Sequence, residues 1–148
     1  MEQKSQDWKN LDPMFFWKYV MPKTSHNIPK VVFLDFDIDN SEIEKICSKY
    51  PEVNFVIEKE EYSRKKDFLE IVNYRWRDRM EYWQWLDSWK FTDYVIANKD
   101  DIEGWIQPAL CGVKILFGVE DLGDTVAPID AVGRIENWEW AKTLLTKS

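Results

Sequence analysis

The chain has 148 residues, of which 45% are hydrophobic, and a formal net charge of -7 at neutral pH. This length is typical of one domain that buries a core without disulfide or metal crosslinks. The acidity disfavours general binding to nucleic-acid backbones, and no run of about 20 apolar residues could span a membrane. The N-terminus also lacks the apolar stretch of a signal peptide. We therefore expect a soluble globular protein of the cytoplasm.

The two cysteines and the single histidine are poor candidates for metal or nucleophilic sites. Cys47 and Cys111 lie in predicted helices without CxxC or CxxH spacing, so we expect free thiols in a reducing compartment. His26 lies in a proline-flanked segment, and a Ser-His-Asp triad would depend on this residue alone. A histidine-rich zinc site is excluded.

An aromatic-rich segment opens the chain. Residues 1–29 contain LDPMFFWKYVMP, in which Asp12 can cap a short helix begun by Pro13. Its aromatic side chains have two interpretations: a lid packed on the core, or a surface patch that binds a partner protein. We predict an N-terminal helical segment over residues 1–29, packed on a single α/β domain over residues 30–148.

Strand patterns alternate with helix patterns from Lys30 onward. The stretches KVVFLDF, PEVNFVIEKE, DYVIANK and VKILFG are typical of buried strands. SEIEKICSKY, DDIEGWIQPALCG and ENWEWAKTLLTK have the apolar spacing of helices. Residues 61–90 contain no Gly or Pro, so we predict one long helix there, broken at most once. This alternation predicts a three-layer, Rossmann-like α/β domain with a mostly parallel sheet of about four to five strands.

Acidic residues follow three of the predicted strands. They are Asp37 and Asp39 after the first, Asp100 and Asp101 after the third, and Glu120, Asp121 and Asp124 after the fourth. Ligands of parallel sheets bind beyond the carboxyl ends of the strands. Converging carboxylates there suit a hard cation such as Mg²⁺, which offsets their mutual repulsion. The alternative is that these residues only cap helices and form turns.

Asp37 and Asp39 are the strongest candidates for chemistry. Because side chains alternate along a strand, the carboxylates of Asp37 and Asp39, two residues apart, point to one side. Asp35 is not counted among the candidates. Two carboxylates so placed can divide the work, one as nucleophile or metal ligand and the other as general acid and base. Asn40 or Ser41 would cap the helix that follows.

The stretch VVFLDFDIDNS resembles the first motif of the haloacid dehalogenase superfamily, an apolar strand that ends in DxDx(T/V/S). YWQWLDSWKFTDYVI and RIENWEWAKTLL are similar to segments of nucleotidase-like members of that superfamily. The resemblance implies a magnesium-dependent phosphatase that acts on a small phosphorylated substrate such as a nucleotide, through an aspartyl-phosphate.

The resemblance also implies roles for individual residues. Asp37 would attack the phosphoryl group, Asp39 would protonate the leaving oxygen and then activate water, and Lys99 would stabilise the transferring charge. The Mg²⁺ ligands would be Asp37, the main-chain carbonyl of Asp39, and Asp121 or Asp124. Ser41, at the end of the first motif, and Ser63, after the second strand, would contact the substrate.

Two ways of matching the chain to this superfamily stay open. One places DYVIANK on the third strand, so that Lys99 takes the position of the family's lysine and KILFGVEDLGD that of its acidic fourth motif. The other places DYVIANKDDIEGW and GVKILF on the fourth and fifth strands, where Ala97 and Asn98 replace the metal-binding acids. The second motif differs as well, since FVIEKEEYS supplies acids before Ser63. A short helix stands where the family has a cap.

Other functions compete with hydrolysis. The differences from the family fit a catalytically inactive α/β module that binds a protein or a nucleotide. The run TDYVIANKDDIEGWIQPALCGVKILFGVEDLGDTVAP also resembles the nucleotide-sugar-binding half of two-domain glycosyltransferases. The basic and aromatic residues of YSRKK and YRWRDR could bind single-stranded nucleic acid, but acidic residues at helical spacing favour an exposed helix face instead.

Overall fold

The computed structural model describes residues 28–34, 39–59, 64–66, 69–73, 84, 87–123 and 126–147. Several predictions concern residues outside these ranges: nearly all of the N-terminal aromatic segment, Asp35, Asp37, Ser63 and Asp124.

Within the described ranges, six strands form one open sheet. They are β1 (Lys30–Phe33), β2 (Asn54–Lys59), β3 (Arg64–Lys66), β4 (Leu69–Asn73), β5 (Tyr94–Ile96) and β6 (Lys114–Leu116). Their order across the sheet is β3-β4-β2-β1-β5-β6, and β3 runs antiparallel to β4 at one edge while the other five are parallel. β1 therefore has a parallel neighbour on each side. The predicted α/β class with a mostly parallel sheet is confirmed.

Helices cover both faces of the sheet. They are α1 (Asn40–Lys49), α2 (Ile102–Leu110) and α3 (Ala131–Lys147), with short 3-10 helices at Trp89–Phe91 and Val119–Leu122. Val31 and Phe33 of β1 belong to the core shared with α1, and Val32 and Leu34 to the core shared with α2 and α3. This alternation gives the three predicted layers. No helix in the part of the chain described is long and apolar enough to cross a membrane.

The long helix predicted over residues 61–90 is wrong. β3 and β4 occupy part of this stretch, and they pair with Lys66 opposite Leu69, so a two-residue connection joins them. Leu69 and Ile71 are buried while Glu70 between them is exposed, which is the period of a strand. With these two additional strands the sheet has six strands among the residues described, whereas the prediction was four to five. DYVIANK therefore forms the fourth of the parallel strands rather than the third.

Local sequence sets the ends of two helices. α2 ends at Leu110, and Gly112 has a φ of 84°, a left-handed conformation that glycine adopts without strain, as predicted. α3 begins at Ala131, earlier than the predicted stretch ENWEWAKTLLTK. The cause is Asp130, whose Oδ1 accepts a hydrogen bond from the N–H of Gly133 at 2.8 Å and caps the first turn.

A buried carboxylate lies just before the amino end of β5. Asp93 has no exposed surface. Its Oδ2 accepts a hydrogen bond from the backbone N–H of Lys30 at 2.9 Å, and its Oδ1 accepts one from the backbone N–H of Ile129 at 2.7 Å. Because a buried charge needs such partners to be stable, β1, β5 and the segment before α3 are held together here.

The guanidinium of Arg134 on α3 is also fully buried. Its Nη1 donates to the backbone carbonyl of Cys111 at 3.2 Å. Its Nη2 donates to the carbonyls of Lys90 and Thr92, at 2.7 Å each. Burial lowers the pKa of Arg134 and the charge of Asp93 raises it, but a guanidinium stays protonated in proteins. These bonds fix α3 to the end of α2 and to the turn before β5.

Both cysteines are free thiols, as predicted. Cys47 is half-buried on α1, and burial raises the pKa of its thiol to about 11, with the charge of Glu44 acting in the same direction. Cys111 is fully buried, and burial raises the pKa of its thiol to about 12 against the opposing charge of Arg134. Since the thiolate is the reactive form, both cysteines are protected from modification at neutral pH.

Replacing Asp93 by Ala should lower the free energy of unfolding by about 3 kcal/mol, because two buried N–H groups lose a charged acceptor. The matched variant Asp130→Ala removes an exposed carboxylate that also accepts a hydrogen bond from a backbone N–H. This variant should lower the free energy of unfolding by about 1 kcal/mol. Urea denaturation followed by circular dichroism measures both. Equal losses would contradict the structural role assigned to Asp93.

Iodoacetamide should modify the native protein at pH 8 about a hundredfold more slowly than a free thiol, since the pKa of Cys47 is raised from 9.0 to about 11. The rate should rise with pH up to that pKa as the thiolate fraction grows. Peptide mass spectrometry assigns the modified cysteine, and the same reaction in urea is the control. A native rate at pH 8 equal to the rate in urea would contradict the prediction.

Candidate functional site

The chain leaves β1 and β5 in opposite directions across the sheet. From β1 it passes through α1 on one face to β2, and from β5 it passes through α2 on the other face to β6. The carboxyl ends of β1 and β5 are neighbours, because the N–H of Leu34 donates to the carbonyl of Ile96 at 2.8 Å. Such a reversal leaves a crevice between the two loops, which is where open parallel sheets bind ligands. We name the chain from β1 to α1 the first switch loop and the chain from β5 to α2 the second.

Asp39 ends the first switch loop and occupies the N-cap position of α1, one residue before the predicted cap. Its backbone carbonyl accepts from the N–H of Ile43 at 3.0 Å, and its exposed carboxylate makes no capping hydrogen bond. Oδ2 accepts a hydrogen bond from the hydroxyl of Ser41 at 2.6 Å. Two predicted site residues, Asp39 and Ser41, are therefore in contact. Asp37 lies outside the residues described.

The second switch loop is a tight turn with exposed polar side chains. Ala97 is buried, and Asn98, Lys99 and Asp100 are exposed. The Oδ1 of Asn98 accepts from the N–H of Asp100, and the carbonyl of Asn98 accepts from the N–H of Asp101, both at 3.0 Å. Asp101 occupies the N-cap position of α2 as predicted, and its carboxylate makes no capping hydrogen bond. Lys99 thus follows β5, the strand next to β1, and Asp39 ends the loop that leaves β1.

Asp121 belongs to a different part of the same edge. It lies in the 3-10 helix after β6, and its Oδ2 accepts from the N–H of Phe117 at 3.3 Å. β6 is two strands from β1, which corresponds to about 10 Å. The structure therefore brings the first switch loop beside Lys99 and leaves Asp121 one strand farther away. Ser63 and Asp124, the other two predicted site residues here, fall outside the described ranges.

The electrostatics of the crevice have two opposing parts. α1 and α2 both begin here, and the N-terminus of a helix carries partial positive charge that favours an anion. The exposed carboxylates of Asp39, Asp100 and Asp101 repel an anion. A phosphorylated ligand would therefore need a cation beside these acids.

Carboxylate oxygens of this kind fit Mg²⁺ chemically. Mg²⁺ in proteins usually keeps several waters and takes one or two carboxylates, so a closed cage is not required. Among the residues described, no group of three His, Cys, Asp or Glu side chains converges on one point. A magnesium ion here would bind between the two loops rather than inside a preformed cluster.

The structure adds one residue that the sequence did not single out. The indole N–H of Trp105 on α2 donates to the backbone carbonyl of Lys99 at 3.3 Å. Trp105 and Trp89 are both buried. Trp105 lies six residues after Lys99 in the sequence, and this spacing does not show that the indole faces the loop.

No protein-family model, curated protein or solved structure matches the chain. The haloacid dehalogenase resemblance of the first motif therefore stays a prediction. A function is inferred from the neighbouring carboxyl ends of β1 and β5 and from the described side chains that follow them.

If Mg²⁺ binds at this edge of the sheet, its affinity should depend on Asp39 and not on Asp121, because Asp39 lies beside the reversal between β1 and β5 whereas Asp121 follows β6. Asp39→Asn should weaken binding about tenfold, since Mg²⁺ affinity follows the charge of its ligands. Asp121→Asn is the matched control, and its amide oxygen can still accept from Phe117. Amide NMR shifts during a MgCl₂ titration measure both. A larger loss for Asp121→Asn would show that the loop after β6 holds the metal.

Proposed function

We propose that the protein is a magnesium-dependent hydrolase of small phosphomonoesters, with nucleotides as the favoured substrate class. One observation carries the proposal: the segment DFDIDNS leaves the central strand β1 and enters α1 at the reversal between β1 and β5. This crevice is the expected ligand site of the fold. The segment that resembles the family's first motif therefore joins β1 to α1 at this reversal.

The proposed chemistry divides between two carboxylates of the first switch loop. Asp37 attacks phosphorus and forms an aspartyl-phosphate while the bond to the leaving oxygen breaks. Asp39 gives its proton to that oxygen and then takes one from the water that hydrolyses the intermediate. The carboxylate of Asp39 is exposed, which supports this role. Bound Mg²⁺ would offset the charge of the acids and of the phosphoryl group.

The strand order favours one of the two matches to the superfamily. β1, β2 and β4 precede β5 among the parallel strands, so residues 94–96 correspond to a fourth strand. Ala97 and Asn98 then occupy the positions of the metal-binding acids. Under the proposal, Asp100 or Asp101 takes over as ligand together with Asp37 and Asp39, and Lys99 supplies a positive charge to the phosphoryl group.

The second candidate function is binding without turnover. The same strand order supports it, because a buried methyl group and an amide stand where the family has acids. The Oδ1 of Asn98 already accepts from the N–H of Asp100, which directs this oxygen into its own turn. A module of this kind would bind a nucleotide at the crevice and leave it unchanged.

Asp37→Asn should lower turnover of a nucleoside monophosphate or of p-nitrophenyl phosphate by about a thousandfold or more, because the nucleophile is lost. Asp39→Asn should lower it by about 10²- to 10⁴-fold, the usual contribution of general acid–base catalysis. Phosphate release with excess Mg²⁺ measures both, and EDTA should abolish the wild-type rate. Glu136→Gln is the matched control, since it removes an exposed carboxylate on α3.

The outcome separates the two candidates. Background turnover that is equal in the wild type and in Asp37→Asn would overturn the hydrolase. Nucleotide binding by calorimetry without turnover would then support the binding module. Lys99→Ala tests the charge assigned to the second switch loop, and an unchanged rate would remove Lys99 from the mechanism.

A further inference from the structure

We infer that Trp105 is a positioning residue that holds the second switch loop in the conformation required for ligand binding. The inference rests on the proposed function, because it assigns the loop to the ligand site. Only 3% of the surface of Trp105 is exposed, and its indole N–H donates to the carbonyl of Lys99 at 3.3 Å. The side chain thus joins the body of α2 to the centre of the loop.

The position of Trp105 in α2 explains this contact. Helical side chains point back toward the N-terminus of their helix, and Trp105 lies in the first turn of α2. Its indole therefore reaches the chain that enters the helix. At the start of the loop, the N–H of Ala97 donates to the carbonyl of Leu116 in β6. Beyond Ala97, the hydrogen bonds from Asp100 and Asp101 to Asn98 are local and only close the turn.

The other side of the indole contacts the neighbouring loop. The rings of Trp105 and Phe117 meet edge to face, with centroids 5.3 Å apart and planes at 68°. Phe117 is the residue directly after β6, and its N–H donates to the carboxylate of Asp121. One buried side chain therefore connects the loops after β5 and β6.

Fixing the backbone of Lys99 fixes the point from which its exposed side chain extends. A loop already held in its bound conformation loses less entropy when a ligand arrives, so it binds more tightly. Loss of the indole N–H should therefore weaken ligand binding and raise KM, while kcat changes little because Trp105 does not touch the reacting atoms.

The experiment compares Trp105→Phe with Trp140→Phe, the same change at a tryptophan that is 42% exposed on α3. A second variant carries benzothienylalanine at position 105, which keeps the shape of the indole and removes its N–H. This second variant tests the role of the indole N–H if Trp105→Phe does not fold. The two readouts are amide exchange of Asp100 and Asp101, and the affinity for inorganic phosphate with Mg²⁺.

In both variants at position 105, we expect amide exchange of Asp100 and Asp101 to accelerate about fivefold. Phosphate affinity should fall by a similar factor, because the loss of about one net hydrogen bond has an effect of this size. Trp140→Phe should change neither. Unchanged amide exchange, or faster exchange with unchanged phosphate affinity, would overturn the role of Trp105 but not the proposed ligand site. A wild-type chain that binds no phosphate would overturn the ligand site itself, and with it the role given to Trp105 there.

Discussion

The central strand β1 is buried on both faces, and this constraint organises the rest of the molecule. Val31 and Phe33 contact one core and Val32 the other, so none of these positions can hold a polar side chain without a large cost in desolvation. Polar residues can begin only where the strand leaves the sheet. The acids of the first switch loop stand at that boundary, and the two helices that begin beside it bring their N-terminal N–H groups to the same place.

Two charged side chains are buried near the amino ends of the strands, and two acids at the carboxyl ends are exposed. At the amino end, Asp93 and Arg134 are fully buried and their oxygens and Nη groups are bonded to backbone groups. Such charges stabilise one arrangement of the chain and are closed to a ligand. At the carboxyl end, Asp39 and Asp101 occupy N-cap positions, and their carboxylates are exposed and do not cap the backbone N–H groups of the helices they precede. Acids in this second state lie where an incoming cation can reach them.

The sequence was informative wherever burial on both faces produced a continuous apolar run. β1, β2, β5 and β6 were predicted for this reason, and the α/β class followed from their alternation with helices. β4 was missed because Leu69 and Val72 also fit a helical period, and five residues are too few to separate the two patterns. β3 gave no apolar signal at all, since it consists of three basic residues that are ordered by pairing with β4.

Polar contacts between distant segments could not be predicted from the sequence either. A lone arginine on a terminal helix normally indicates an exposed face, so nothing in the pattern around Arg134 revealed that three carbonyls from distant segments surround it. The same holds for Trp105, whose partner is a backbone oxygen. The sequence predicted that the candidate site lies at the carboxyl ends of the strands. The order of the strands in the sheet then determined which loops are neighbours.

The antiparallel strand β3 has a consequence for how the chain behaves among its own copies. An outermost strand offers unpaired backbone groups on which another molecule's strand can add, the first step toward aggregation. In β3 all three positions are Arg or Lys, and Lys65 lies opposite Glu70 of β4. A second copy that approached this strand would bring like charges together. Strand β3, the outermost strand on this side among the residues described, thus opposes growth of the sheet from one molecule to the next.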